Sequence, residues 1–370
     1  MASRCGPRVR PNDRHGPGPL ILVTMFVLWL HAAAGRSAPA APAPARRIDI
    51  VQDLPGAGDL AAPANGQTLY VLDETDGEIV ALDPFENDTR WLAVAAGGPA
   101  KASIGCIDTG VLAILGRGPE GWAVHTHRMQ PGVTADPRAP SQTVAVPVAD
   151  GTKPMGTAAA ATTGDPCLAV SPSREWLGVC GLPAPLPAVL RAPIAGTRIG
   201  SLSARGCPTP TDEGRPVAAT ISSGEDLILF AAARPAGPGS GLFVSFHLPP
   251  DPRRLLHLDT SLTRIRDAAY ARSDGTLWAV GTGRVNQETV EGLWRIDGVL
   301  RNARQAAQAV CIARLPAVRA VCCLSERAIV VTHGDRPRIV SRIDPTQPDP
   351  AASPAPDARR TEGPPPGATP

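Results

Sequence analysis

The chain has 370 residues, of which 43% are apolar, 19% charged and only 4% aromatic, with a formal net charge of +2. That apolar share is ample for a large core, and the near-neutral balance, with arginine scattered, excludes a nucleic-acid partner. The 42 prolines and 37 glycines mark many turns. No long stretch carries a 3.6-residue apolar period, which excludes a helical fold.

Arg4, Arg8, Arg10 and Arg14 precede the apolar run Leu20–Leu30, and small residues follow as far as Gly35. A basic segment, a short apolar run and small residues for cleavage are the layout of a secretory signal. Residues 1–35 are therefore read as a signal peptide, and the mature chain as exported to the periplasm or the cell exterior. An uncleaved run, extended by Ala32–Ala34, would instead leave a membrane anchor. Cleavage removes four arginines and one aspartate, so the net charge falls from +2 to −1. Residues 36–45 form a Pro/Ala spacer without packing capacity. Ile48–Val51 then reads as one isolated strand.

A repeating unit begins at Asp59 and is clearest in Arg266–Asp297. There Asp274-Gly275 supplies a tight turn before Leu277–Val280, and Leu293–Ile296 alternates apolar and polar like a half-buried strand. Aligning the turns brings Tyr70, Leu112, Trp176, Ile228, Trp278 and Ile329 into one column, 42, 64, 52, 50 and 51 residues apart. A period near fifty with several short strands per period is the mark of radially repeated four-stranded blades. Residues 46–344 are thus expected to form an all-β, six-bladed β-propeller. Blade six lacks an outer strand of its own, so the N-terminal strand is expected to complete it and remove an exposed edge. Residues 345–370, with nine prolines, are expected to be a disordered tail.

The Leu60–Pro84 segment, LAAPANGQTLYVLDETDGEIVALDP, resembles the YVTN-type and NHL-type repeats of exported bacterial propellers. The resemblance is good there and in Arg266–Leu315, and looser elsewhere. It implies the propeller fold and, for most such repeats, a binding scaffold rather than one activity.

Counting eleven residues back from three anchors reaches an acid each time: Asp59, Asp165 and Asp267. The start of an innermost strand lies at the mouth of the central channel. Three carboxylates from alternate blades could converge there on a ligand or on Ca²⁺, which takes hard oxygen donors. The competing reading is that each caps backbone N–H groups at a strand start. Arg266-Asp267-Ala268, with Ser273–Trp278, is similar to a blade motif of the SMP-30/gluconolactonase-like hydrolases. That similarity implies Asp267 as a metal ligand or general base at a calcium-bound substrate. The asparagines that line those channels have no match here; the nearest residues are Ser103, Val217 and Val318.

Seven cysteines survive cleavage, and an exported chain permits disulfides. Cys180 with Cys207 could staple blade three, and Cys311 with Cys322 are further candidates, although pairing cannot be deduced from spacing. His125 and His127 share one face of a strand, as a metal pair would, but no third ligand accompanies them. Gly116–Gly121 fits a dinucleotide pattern formally, yet no helix follows it. Asn87-Asp88-Thr89 is a glycosylation sequon. No catalytic Ser/His/Asp or Cys/His set can be assigned. The sequence thus points to a monomeric scaffold that binds a protein, glycan or small molecule on one propeller face. The alternative is a calcium-dependent, lactonase- or esterase-like hydrolase at the channel mouth.

Overall fold

The computed structural model describes residues 45–87, 90–129, 140–147, 166–183, 186–187, 189–204, 216–222, 227–231, 241–245, 255–258, 261–271, 275–297 and 308–348. The signal segment, most of the spacer, Asp88-Thr89 of the sequon, Asp165, Cys207 and residues 349–370 lie outside them. Among the described residues no helix is long and apolar enough to cross a membrane.

Strand β1 (Ala45–Leu54) comes first. Sheet 1 follows as β2 (Ala57–Ala61), β3 (Leu69–Asp73), β4 (Ile79–Leu82) and β5 (Arg90–Val94). Sheet 2 is β6 (Ala100–Asp108), β7 (Val111–Gly118), β8 (Gly121–Arg128) and β9 (Gln142–Ala145). Sheet 3 is β10 (Cys167–Val170), β11 (Trp176–Cys180), β12 (Val189–Ala195) and β13 (Arg198–Ile199). Sheet 4 is β14 (Pro216–Ile221), β15 (Leu227–Ala231), β16 (Gly241–Ser245) and β17 (Leu255–Leu258). Sheet 5 is β18 (Leu262–Tyr270), β19 (Leu277–Val285), β20 (Glu288–Asp297) and β21 (Gln308–Arg314). Sheet 6 is β22 (Ala320–Ser325), β23 (Ala328–His333) and β24 (Arg338–Pro348), with β1 as its fourth strand.

The innermost strands β2, β6, β10, β14, β18 and β22 each touch the next, and β22 touches β2. This is an all-β propeller. Six apolar clusters fill the spaces between neighbouring sheets. They exist because side chains alternate across a strand. On β19, Leu277 and Ala279 face sheet 4, whereas Trp278 and Val280 face sheet 6. All six anchors are buried in the second strand of their sheets. Their orientations differ: Tyr70, Trp176, Ile228 and Trp278 face the following sheet, but Leu112 and Ile329 face the preceding one. The sequence alignment is therefore one residue out in sheets 2 and 6, because an apolar run offers no turn residue to fix its phase.

The strands of sheet 5 are longer than the short runs read from sequence. The hairpin between β19 and β20 closes at Asn286 and Gln287, both with positive φ (49° and 69°), the geometry of a two-residue turn matched to strand twist. Two glycines let strands approach closely here. A Cβ at Gly281 would lie 2.0 Å from the Arg264 carbonyl oxygen, and one at Gly292 would lie 2.0 Å from that of Ala313.

β1 pairs antiparallel with β24, with Asp49 opposite Ser341. The buried Ser341 hydroxyl donates to Asp49 Oδ1 at 2.6 Å and lies 2.8 Å from His333 Nε2. Having given its proton to Asp49, Ser341 can only accept from His333, which fixes that imidazole as the Nε2–H tautomer. Burial holds the His333 pKa down to about 4, so the ring is neutral. The structure corrects the expected tail boundary. β24 continues to Pro348, because Ala45 still pairs with Pro348 and Arg46 Nη1 donates to Gln347 Oε1 at 3.0 Å.

Candidate functional site

The channel wall is made by the innermost strands of all six sheets and encloses about 160 Å³. At the end where those strands begin, the register is irregular. Shifts fall between Ala57 and Leu60, Lys101 and Ser103, Pro216 and Ala218, and Ile265 and Asp267. Such bulges re-aim the side chains at the break. Asp59, Ser103, Val217 and Asp267 all sit at or beside these breaks.

The two described acids turn sideways onto backbone. Asp59 Oδ1 accepts the N–H of Leu60 at 2.8 Å, while Oδ2 accepts the N–H of Ile104 in sheet 2 at 2.8 Å and the Ser103 hydroxyl at 2.6 Å. Asp267 repeats the pattern. Its Oδ1 accepts the N–H of Ala268 and its Oδ2 the N–H of Val321 in sheet 6, both at 2.8 Å. Ser103 Oγ in turn accepts the N–H of Leu168 in sheet 3 at 2.9 Å. Thr332 closes the series by donating to Gly58 O of sheet 1 at 3.0 Å. Sequence reading missed the stapling role of Ser103. The signal available was its position at the strand entry, which the search for asparagine passed over.

Asp59 and Asp267 share a mouth cavity of about 50 Å³ with Glu74, Ser103, Cys167, Arg266 and Arg319. Burial raises both carboxyl pKa values, outweighing the hydrogen bonds that lower them. Asp267 is pushed to about 8, first by burial and then by the neighbouring charge of Asp59. Arg319 opposes the rise at both. Glu74 gathers the surrounding cations, with Arg319 at 2.8 Å and Arg338 at 3.1 Å.

These residues fit calcium poorly. A carboxyl with a pKa near 8 is largely neutral at pH 7, and the oxygens of Asp59 already accept three hydrogen bonds. Among the described residues no group of three His, Cys, Asp or Glu is placed to hold a metal. Asp165 lies outside them.

The channel adjoins a larger cavity of about 440 Å³ at the opposite end, sharing Ala62, Tyr270 and Cys323 with it. Its wall is built from the inner hairpin turns: Ala62–Ala64 of sheet 1, Tyr270 and Ala271 of sheet 5, and Cys323–Arg327 of sheet 6.

The histidines lie away from the channel. His125 and His127 line a cavity of about 330 Å³ with Lys101, beside Gly97 and Gly98. His127 is held down to about 4, mainly by burial and then by His125 and Lys101. A neighbouring ammonium opposes a cation there. Gly118 and Gly121 pair across a tight hairpin, so the glycine pattern of 116–121 opens no helix. Of the disulfide candidates, Cys207 lies outside the described residues. Cys180 and Cys311 carry free thiols. Cys180 stands opposite Cys167, Cys311 opposite Trp294, and Cys322 opposite Val330.

Fold and channel define the chain as a β-propeller. No protein-family model matches it, and neither does any curated protein. Solved structures do. The aldose sugar dehydrogenase of Streptomyces coelicolor, in its PQQ-bound form, aligns over 82% of this chain and 100% of its own, with 14% identity and a TM-score of 0.51. A provisionally named gluconolactonase aligns over 82% and 93%, with 11% identity and a TM-score of 0.52. Likeness at this level concerns the fold.

Proposed function

We propose that the chain is an exported six-bladed propeller, its ring closed by β1 on the last blade, that serves as a non-catalytic binding scaffold. One observation carries this reading: the oxygens of Asp59 and Asp267 are committed to N–H groups of two successive sheets. They act as staples between blades, so the hydrolase alternative loses two of its three metal ligands. Size argues the same way. Ligand pockets run from roughly 300 to 1,000 Å³. The mouth offers about 50 Å³ and the opposite cavity about 440 Å³. We therefore assign the ligand-bearing face to the hairpin turns, where Tyr270, Ser325, Glu326 and Arg327 supply polar groups around an apolar wall. The export reading rests on the layout of residues 1–35.

The test is turnover. The purified mature chain is assayed on small lactones and esters with and without millimolar calcium. The scaffold reading expects no rate above the uncatalysed one. Turnover that disappears in Asp267→Asn would overturn it.

A further inference from the structure

We propose that Cys167 and Cys180 are a disulfide-forming pair that locks the innermost strand of sheet 3 to its neighbour. They are direct partners in the antiparallel register of β10 and β11. Directly opposed residues in such a pair have Cα atoms roughly 4.5 or 5.5 Å apart. Both spacings fall within the roughly 4.4–6.8 Å that a disulfide spans. The side chains also share one face of sheet 3, since Cys180 belongs to the apolar cluster between sheets 3 and 4 and Cys167 packs against it. Both are free thiols in the structure, so the pair is described in its reduced form. Cys180 is fully buried, whereas Cys167 keeps some exposed surface and lines the mouth cavity beside Asp59 and Asp267.

The bridge forms by exchange with a small-molecule disulfide such as oxidised glutathione. One thiolate attacks it, breaking its S–S bond and giving a mixed disulfide and one reduced glutathione. The second cysteine then displaces the other glutathione as the Cys167–Cys180 bond forms. Two cysteine thiols lose two electrons and two protons, and two glutathione thiols gain them. The adjacent Cys180 thiol and burial hold the Cys167 thiol well above its ordinary pKa. Exchange needs the thiolate. Bridging is therefore fast while the chain folds and slow once the sheet has closed.

The experiment refolds the full chain in a glutathione redox buffer, with a reductant-only control, and alkylates remaining thiols under denaturing conditions. Trypsin cleaves after Arg174, between the two cysteines, so a bridge leaves two peptides joined. The expected result is a linked Cys167/Cys180 pair lighter by two hydrogens than the separate thiol peptides, in most of the chains with native β circular dichroism. Reduction of that folded sample should lower its melting temperature. Full alkylation of both cysteines in chains that regain that signal would overturn the proposal. So would linkage of Cys180 to Cys207, or of Cys167 to any third cysteine.

Discussion

Asp59 accepts the N–H of Ile104 at 2.8 Å and so joins the innermost strands of sheets 1 and 2, which share no backbone ladder. A buried N–H without a partner is costly, and the bulges near the starts of β2, β6, β14 and β18 break the regular pairing that would satisfy it. An acid or hydroxyl at the bulge supplies the missing acceptor. Asp267 does this from sheet 5 to sheet 6, and Ser103 from sheet 2 to sheet 3.

Asp59→Ala removes the acceptor for the N–H groups of Leu60 and Ile104 and the partner of the Ser103 hydroxyl. A buried group left unpaired costs about 1–3 kcal/mol. The substitution should lower stability by about 2–4 kcal/mol, read from the midpoint of urea unfolding. Asp59→Asn keeps an acceptor oxygen and should lose less. Unchanged midpoints for both would remove the staple.

Asp267 makes stability depend on pH with a defined sign. Its pKa rises from 3.8 to about 8 on folding, so the folded chain holds a proton that the unfolded chain releases. This contribution is complete below the unfolded value and is lost as pH rises through about 8. His127 and His333, lowered from 6.5 to about 4, act oppositely between those values. Above pH 6.5 the two histidines drop out, and the raised, mutually interacting carboxyls of Asp267 and Asp59 remain. From pH 6.5 to about 8 the melting temperature of the wild type should fall, and that of Asp267→Asn should stay flatter. Parallel curves would contradict the assignment.

Gly281→Ala and Gly292→Ala each put a methyl 2.0 Å from a carbonyl oxygen of the adjoining strand. Backbone cannot yield there without disturbing the ladder, and overpacking costs typically about 1–3 kcal/mol. Gly118→Ala meets only a Pro99 carbon at 3.8 Å and should stay within about 0.5 kcal/mol of wild type. Chemical unfolding of the three variants checks the contrast.

The proposed closure by β1 predicts that a chain starting at Gly56 loses its sharp melt. β1 covers Val330, Val340 and Ile343 with Ala45, Ile50, Val51 and Leu54. The truncated chain should bind a hydrophobic dye and melt broadly. A sharp melt at the wild-type temperature would show the strand to be dispensable.

Most of the fold was legible in the sequence because turn residues punctuate it. Asn65-Gly66, Asp76-Gly77 and Gly275 mark hairpins, and the apolar runs that follow Gly66 and Gly275 became second strands. The pairing of Ile48–Val51 with the last sheet was legible as a leftover strand facing a missing one. What escaped was phase and direction. Leu112 sits among apolar neighbours, so nothing in the sequence told which way it pointed. The acids at Asp59 and Asp267 were found, but a bulge turns each one along the ring, and bulges leave no residue signature. Cys180 was read against Cys207, since pairing with Cys167 depends on a register fixed only by the hairpin they share.

The central claim is that the mouth carboxylates staple neighbouring sheets and do not hold a metal. Thermal melting of the wild-type chain at pH 7, with and without millimolar calcium, tests it most directly. The account predicts the same melting temperature in both. A rise with calcium that is absent in the triple variant Asp59→Asn, Asp165→Asn, Asp267→Asn would contradict it.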